Sequence, residues 1–194
     1  MTKLITYQKY ESLFLELKSI ISESHDRTIR KHPDELFIGN VNFFVKSYLI
    51  NICTYLEAML QDLAFLHAKE INLRIVEANI PQNYVLWRNS SNVKEKDFKF
   101  KSANFSVTKK DISDNLSASP YRTLKLFEKL GVDLTQCETF EANRELVTAI
   151  VSKRNNIIHH NDKAADVSYD DLILFIDVIL SYSKAILLAL NDEA

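Results

Sequence analysis

Residues 151–162 read V-S-K-R-N-N-I-I-H-H-N-D, and this stretch sets a strong cation inside a helical apolar stripe. Leu146, Val147, Ile150, Val151, Ile157 and Ile158 recur at the i, i+3/i+4, i+7 spacing of an amphipathic helix, so their side chains share one face. At about 100° per residue from Val147, Val151, Arg154 and Ile158 fall within about 40° of one line. The Arg154 guanidinium therefore points where the helix packs. A buried cation without a partner costs several kcal/mol, so an anion is expected to meet it. Asn155 and His159 stand at i and i+4 on the flank of the stripe, beside Arg154.

The composition around this helix fits the same picture. The 194 residues contain two glycines, Gly39 and Gly131, and three prolines, Pro33, Pro81 and Pro120. So few breakers favour long helices over many-turned sheets. Two isolated glycines cannot build a G-x-G-x-x-G fingerprint, a Walker loop or a G-x-S-x-G elbow. The net charge is −2 with acids and bases mixed, so any polyanion binding is local. Cys53 and Cys137 lie far apart in helical patterns, and the N-terminal stretch has no apolar signal core. The longest uninterrupted apolar run, Ala185 to Leu190, is too short to span a bilayer. A cytoplasmic protein with free thiols and no membrane association is expected.

Along the chain, a first helix is expected from about Leu4 to Ile29, with Tyr7, Tyr10, Phe14, Leu17 and Ile21 on one face. Residues 33–40 read as a connection. Val41, Val45, Tyr48, Ile52, Tyr55, Met59, Leu63 and Leu66 hold a stripe through the main core helix, expected to end before Pro81. Helical periodicity is lost from Gln82 to about Ser117, where Phe98 and Phe100 alternate with Lys99 and Lys101 at the period of a strand. This reads as a non-helical insertion at 82–117 holding a short β-hairpin or an ordered loop. Ser119-Pro120 opens another helix, lined by Tyr121, Leu124, Phe127 and Leu130 and closed by Gly131. The helix bearing Arg154 follows, then a polar loop, H-H-N-D-K-A-A-D-V. Ser168 and Asp171 form a capping-box start for a last helix lined by Leu172, Ile176, Ile179, Ser183, Ile186 and Leu190. The expected fold is all-α: one domain over 1–194, an antiparallel helical bundle of four to five core helices carrying the insertion.

The run Arg154-Asn155-Asn156-Ile157-Ile158-His159 resembles the R-x4-6-H signature of the HEPN superfamily, the higher eukaryote and prokaryote nucleotide-binding domains. The long second helix, with Y-L-E-A-M-L-Q-D-L at 55–63, is similar to that of HEPN proteins of the RiboL-PSP and abortive-infection type. The likeness covers most of the helical chain but not Gln82 to Ser117. It implies a metal-independent endoribonuclease without cofactor, a homodimer whose two motifs meet at the two-fold axis. It also implies RNA as substrate and a toxin or phage-defence role, with an antitoxin protein as a further partner. Arg154 and His159 would be catalytic and Asn155 supporting; His160 is the alternative to His159, since R-x5-H also fits the signature. Glu57, on the preceding core helix, is a further candidate to pair with the Arg.

These residue types suit such chemistry. Cleaving RNA without a metal needs a proton acceptor, a proton donor and a charge clamp while the 2′-hydroxyl attacks its own phosphate. Imidazole exchanges protons near neutral pH, and guanidinium forks onto two phosphate oxygens. Lys99 and Lys101, interleaved with Phe98 and Phe100, are candidates for substrate binding through phosphate contact and base stacking; the alternative is a solvated hairpin whose lysines protect its edges. No metal-ligand spacing is present. Asp97-Phe98-Lys99 matches only the D-x-K half of a metal-dependent nuclease site. Other readings are an Arg154 paired structurally with Glu57 or Asp62, a His159-His160 pair serving the helix C-terminus, a non-catalytic HEPN module binding RNA, nucleotide or protein, and a purely structural helical dimer.

Overall fold

Thr2 opens the first helix by accepting the Ile5 N–H on its hydroxyl at 3.3 Å, which satisfies one of the donors a helix start leaves free. From there the computed structural model describes residues 2–90, 94–160, 164 and 166–192, with the side chains of Glu95, His160 and Asp192 excepted. Eight helices follow among them: α1 (Lys3–Ile29), α2 (Glu35–Gly39), α3 (Val41–Glu77), α4 (Gln82–Asn89), α5 (Lys109–Asn115), α6 (Pro120–Lys129), α7 (Glu138–His160) and α8 (Tyr169–Asp192). Single 3-10 turns stand at Glu95–Asp97 and Leu134–Gln136.

The four long helices form the core, and cross-helix contacts give their directions. Lys3 reaches the Leu190 carbonyl, and Lys18 reaches Asp177, so α1 and α8 run antiparallel. Tyr10 donates to Asp62 and Ser24 bonds Tyr48, so α1 and α3 are antiparallel as well. Phe140 stacks on Tyr182 and Lys153 pairs with Asp166, which sets α7 against the start of α8 in the same sense. It follows that α7 runs opposite to α3, against which it also packs.

The stripes read on α1 and α8 are buried faces, while Val41, Tyr48, Tyr55 and Leu66 of the α3 stripe are half-buried. Tyr7, Tyr10, Phe14, Leu17 and Ile21 of α1 are buried, as are Leu172, Ile176, Ile179, Ser183, Ile186 and Leu190 of α8. On α3 the buried face is broad, since Leu49, Cys53, Leu56 and Leu60 join Val45, Ile52, Met59 and Leu63. Each such aliphatic side chain contributes about 1.5–3 kcal/mol on leaving water, so these faces hold the bundle together. By length and composition, α3 and α8 are apolar enough to cross a membrane, with mean hydropathies of 1.3 and 2.1 over their best windows. The buried faces of both pack inside the bundle, against α1, against α7 and against each other.

Three expectations change. The insertion at 82–117 is not devoid of helix: α4 follows Pro81, and α5 is nucleated by a capping box in which Thr108 and Asp111 bond each other's N–H. Among the described residues it holds no strand, only an isolated bridge between Pro81 and Ser102. Residues 33–40 include the one-turn-and-a-half helix α2, capped by Asp34. Tyr121 of α6 is exposed, and Thr123 and Leu126 take the inner face beside Phe127. The ends of α1, α3 and α6 are close to where the sequence places them. Gly131 takes φ 84° beyond α6, where Gly131 and Val132 donate to the Glu128 and Phe127 carbonyls as a Schellman motif. Of the polar loop read after α7, residues 161–163 and 165 lie outside the described residues.

Ser168 and Asp171 form the expected capping box: the Asp171 N–H donates to the Ser168 hydroxyl at 3.1 Å and the Ser168 N–H to the carboxylate at 2.8 Å. The backbone and hydroxyl of Ser168 hold the Asp171 carboxyl below its usual range. Ser168→Ala is expected to lower stability by about 1 kcal/mol. Because the folded state depresses this carboxyl, its contribution is complete above the unfolded value near pH 4 and fades as pH falls through the lower folded value. Urea midpoints of parent and variant should therefore differ at neutral pH and converge in acid.

Candidate active site

Helix α7 carries the cation to its place. Val147, Ile150, Val151 and Ile157 are buried, and they hold the helix against α3 and α8. Leu146 and Ile158 are 40% and 46% exposed, so the packed stripe is narrower than the sequence predicts and turns onto Ile157 in the last turns. Arg154 sits where this stripe opens to solvent. Its Nε is buried without a hydrogen-bond partner, and its Nη1 donates to Oδ1 of Asn155 at 3.0 Å. A buried donor left unpaired costs about 1–3 kcal/mol. Asn155 thus steadies the guanidinium.

Facing Arg154 across a shallow cleft of about 280 Å³ are Thr54, Glu57, Ala58 and Gln61 of α3. Their spacing puts them on one flank of the helix, where short and polar side chains leave room beside the bulky core face. Glu57 accepts from Gln61 Nε2 at 3.4 Å and makes no ion pair with Arg154 among the described residues. Asp62, the other carboxylate considered as a structural partner, is taken: it accepts from the Tyr10 hydroxyl and Lys109 Nζ, each at 2.8 Å. Neither ion pair considered for Arg154 is formed. Both Arg154 and Glu57 act on the buried thiol of Cys53: burial pushes it up to about 12, Arg154 draws it down and Glu57 raises it. Cys53 should resist iodoacetamide in the folded protein and react only on unfolding. Alkylation counted by mass spectrometry with and without urea checks this.

The remaining candidates are dispersed. His159 is exposed and does not line the cleft. Its i+4 relation to Asn155 places it one turn further along α7. The side chain of His160 lies outside the described residues. Lys99 and Lys101 are exposed and line a different hollow, with Asn83 and Phe100. Asp97 accepts the Lys94 N–H within its own turn. Among the described residues, no three His, Cys, Asp or Glu side chains are grouped to hold a metal ion. The chain therefore brings together Arg154, Asn155 and Glu57, and leaves His159 outside.

The family model described as RiboL-PSP-HEPN matches residues 5–192. The chain belongs to the RiboL-PSP-HEPN family. Searches of curated proteins and of solved structures find no match to it.

In this RiboL-PSP-HEPN chain the cleft is more than the R-x4-H motif. Thr54, Ala58 and Gln61 were not singled out from the sequence. The signal that could have found them is a T-x-x-E-A-x-x-Q flank running beside an otherwise apolar core helix. Chemically the cleft offers a fixed cation with an unused donor, an amide and a carboxylate, open to solvent on one side. Such a group can clamp an anionic oxygen while an oxygen acid beside it gives up a proton.

Proposed function

We propose that this protein is a metal-independent endoribonuclease acting as a homodimer. The observation that carries the reading is the buried, unpartnered Nε of Arg154 at a solvent-open cleft. The neutral imidazole of one His159 takes the proton of the 2′-hydroxyl as that oxygen bonds to phosphorus. Arg154 stabilises the charge gathering on the phosphoryl oxygens. The bond from phosphorus to the 5′-oxygen breaks, and the partner's protonated imidazole supplies the proton that the leaving oxygen needs. A 2′,3′-cyclic phosphate and a 5′-hydroxyl result, and DNA is not cut because it lacks the 2′-hydroxyl. A single His159 per chain fits this division of labour, since a two-fold axis supplies the second. Such an enzyme would act in the cytoplasm as a toxin or phage-defence effector, silenced by an antitoxin protein.

The test is incubation of the purified protein with a mixed RNA pool in excess EDTA. Cleavage leaving cyclic phosphate ends supports the reading; products with 3′-hydroxyl ends, or cleavage only on adding a divalent metal, would overturn it. A second reading is favoured by the cleft itself, where Glu57 stands beside Arg154 and, among the described residues, no imidazole does. In that case the protein is a HEPN module that binds RNA, a nucleotide or a protein partner without cutting. RNA binding lost in Arg154→Ala, with no cleavage by the parent, would establish it.

A further inference from the structure

The segment following α3 exposes aromatic rings that the fold does not use. Phe100 is 97% exposed and Trp87 is 63% exposed, and Tyr84 is exposed beside Trp87 with ring centroids 6.0 Å apart. Leaving such rings in water forgoes the burial that stabilises them elsewhere in this chain. They are nonetheless held in place. The Lys99 N–H donates to Oδ1 of Asn83 at 2.7 Å, the Gln82 N–H to the Lys101 carbonyl at 3.0 Å and the Ala103 N–H to the Ile80 carbonyl at 2.7 Å. Phe100 is thus pinned on both sides against the start of α4. Asn83 and Trp87 are i and i+4 on α4, so the indole lies one turn, about 6 Å, beyond the anchor of the Phe100 segment on the same face.

Cations surround these rings. The Arg88 guanidinium lies over the Trp87 ring at 5.5 Å, and Lys99 and Lys101 flank Phe100 in a hollow of about 390 Å³. From Gln82 to Lys101 the chain carries five Lys and Arg against two Asp and Glu, although its net charge is −2. Edge protection does not explain these lysines, because the described residues form no strand here, only the bridge of Pro81 with Ser102.

We infer that α4 and residues 98–101 form a stacking platform for single-stranded RNA. Unpaired bases offer faces to Trp87 and Phe100, while Arg88, Lys99 and Lys101 meet the phosphates. A duplex has its bases stacked on one another and offers none of those faces. That the strand is RNA rests on the ribonuclease reading; that it is single and binds here rests on the geometry of α4 alone.

Trp87 is the only tryptophan of the chain, so its fluorescence reports this surface and no other. The full chain carrying His159→Ala, which spares the probe from cleavage and leaves the Arg154 cleft intact, is titrated with a mixed-sequence RNA of about 12 nucleotides, within the usual range of such sites. The same strand annealed to its complement is titrated beside it. Saturable quenching by the single strand, at least about tenfold weaker with the duplex, is expected. Phe100→Ala should weaken binding about tenfold, and Lys99→Ala with Lys101→Ala should reduce the slope of log K against log salt by about 1.4. No quenching, equal quenching by duplex, or a Phe100→Ala variant that binds as its parent does would overturn the platform. EDTA-resistant cleavage by the parent with no quenching would overturn the platform alone; quenching with no cleavage would count against the ribonuclease alone.

Discussion

Replacing His159 by alanine is expected to reduce RNA cleavage by about 10⁴-fold or more while helix content and melting temperature stay unchanged. The stability half of this expectation follows from the structure: the imidazole is exposed, and no hydrogen bond or ion pair holds it among the described residues. The activity half follows from symmetry. General acid or base catalysis is worth about 10²–10⁴-fold for one group, and in a homodimer a single substitution removes acid and base together. Titrating His159→Ala protein into the parent under subunit exchange separates the possibilities. If one composite site needs both imidazoles, activity falls with the square of the parent fraction; if each protomer works alone, it falls linearly. Full activity in His159→Ala with loss in His160→Ala would move the role to His160. Full activity in both would remove imidazole from the chemistry and leave Glu57 as the proton acceptor in the cleft.

The long helices were legible because each buries a continuous stripe, and a stripe is a one-dimensional signal. Residues Leu172 to Leu190 of α8 announce their inner face at every turn, and Ser168 with Asp171 announces its start. The short helices carry no such signal. Helix α4 has two turns and no buried residue, and its rings at 84 and 87 face solvent, so no apolar period forms. Helix α5 buries Ile112 alone, and what makes it helical is its capping box, a local signal that a search for stripes passes over. Alternation of Phe and Lys at 98–101 imitated a strand, but the Lys101 N–H donates to the Lys99 carbonyl at 2.8 Å, so the segment turns back on itself and is tethered to Asn83 instead of pairing as a strand.

At the site, what was legible was direction and what was not was distance. A rotation of about 100° per residue sufficed to turn Arg154 inward, and Asn155 beside it follows from the chain itself. Ile158 was misplaced because the stripe rolls toward Ile157 once α7 passes the end of its packing surface. The carboxylate facing Arg154 depends on how α7 lies on α3, and two acids five residues apart on α3, Glu57 and Asp62, both stood as structural partners until packing separated them. Tyr10 and Lys109 claim Asp62, contacts made across 52 and 47 residues of sequence. Only Glu57 is left beside the cleft.

Arg154→Lys is expected to move stability and activity in opposite directions. In lysine a methylene occupies the position of Nε, the atom that is buried here without a partner. Exchanging an unsatisfied donor for an apolar group removes a desolvation cost of about 1–3 kcal/mol, part of which is offset by losing the Nη1 bond to Asn155. A net gain of about 1 kcal/mol corresponds to roughly 2–4 °C in melting temperature for a chain of this size. Cleavage should fall about 10²-fold or more, because an ammonium is a point charge that cannot fork onto two phosphoryl oxygens, and losing one such donor costs about 10²–10³ in other enzymes. Arg154→Ala should be equally inactive, with packing of the stem lost as well. Melting curves and single-turnover cleavage on the three proteins decide the matter. A lysine variant that is stable and active would show that charge alone suffices. One that is less stable than the parent would show that Nε finds a partner in solution, and the argument from an unpaired buried donor would fail with it.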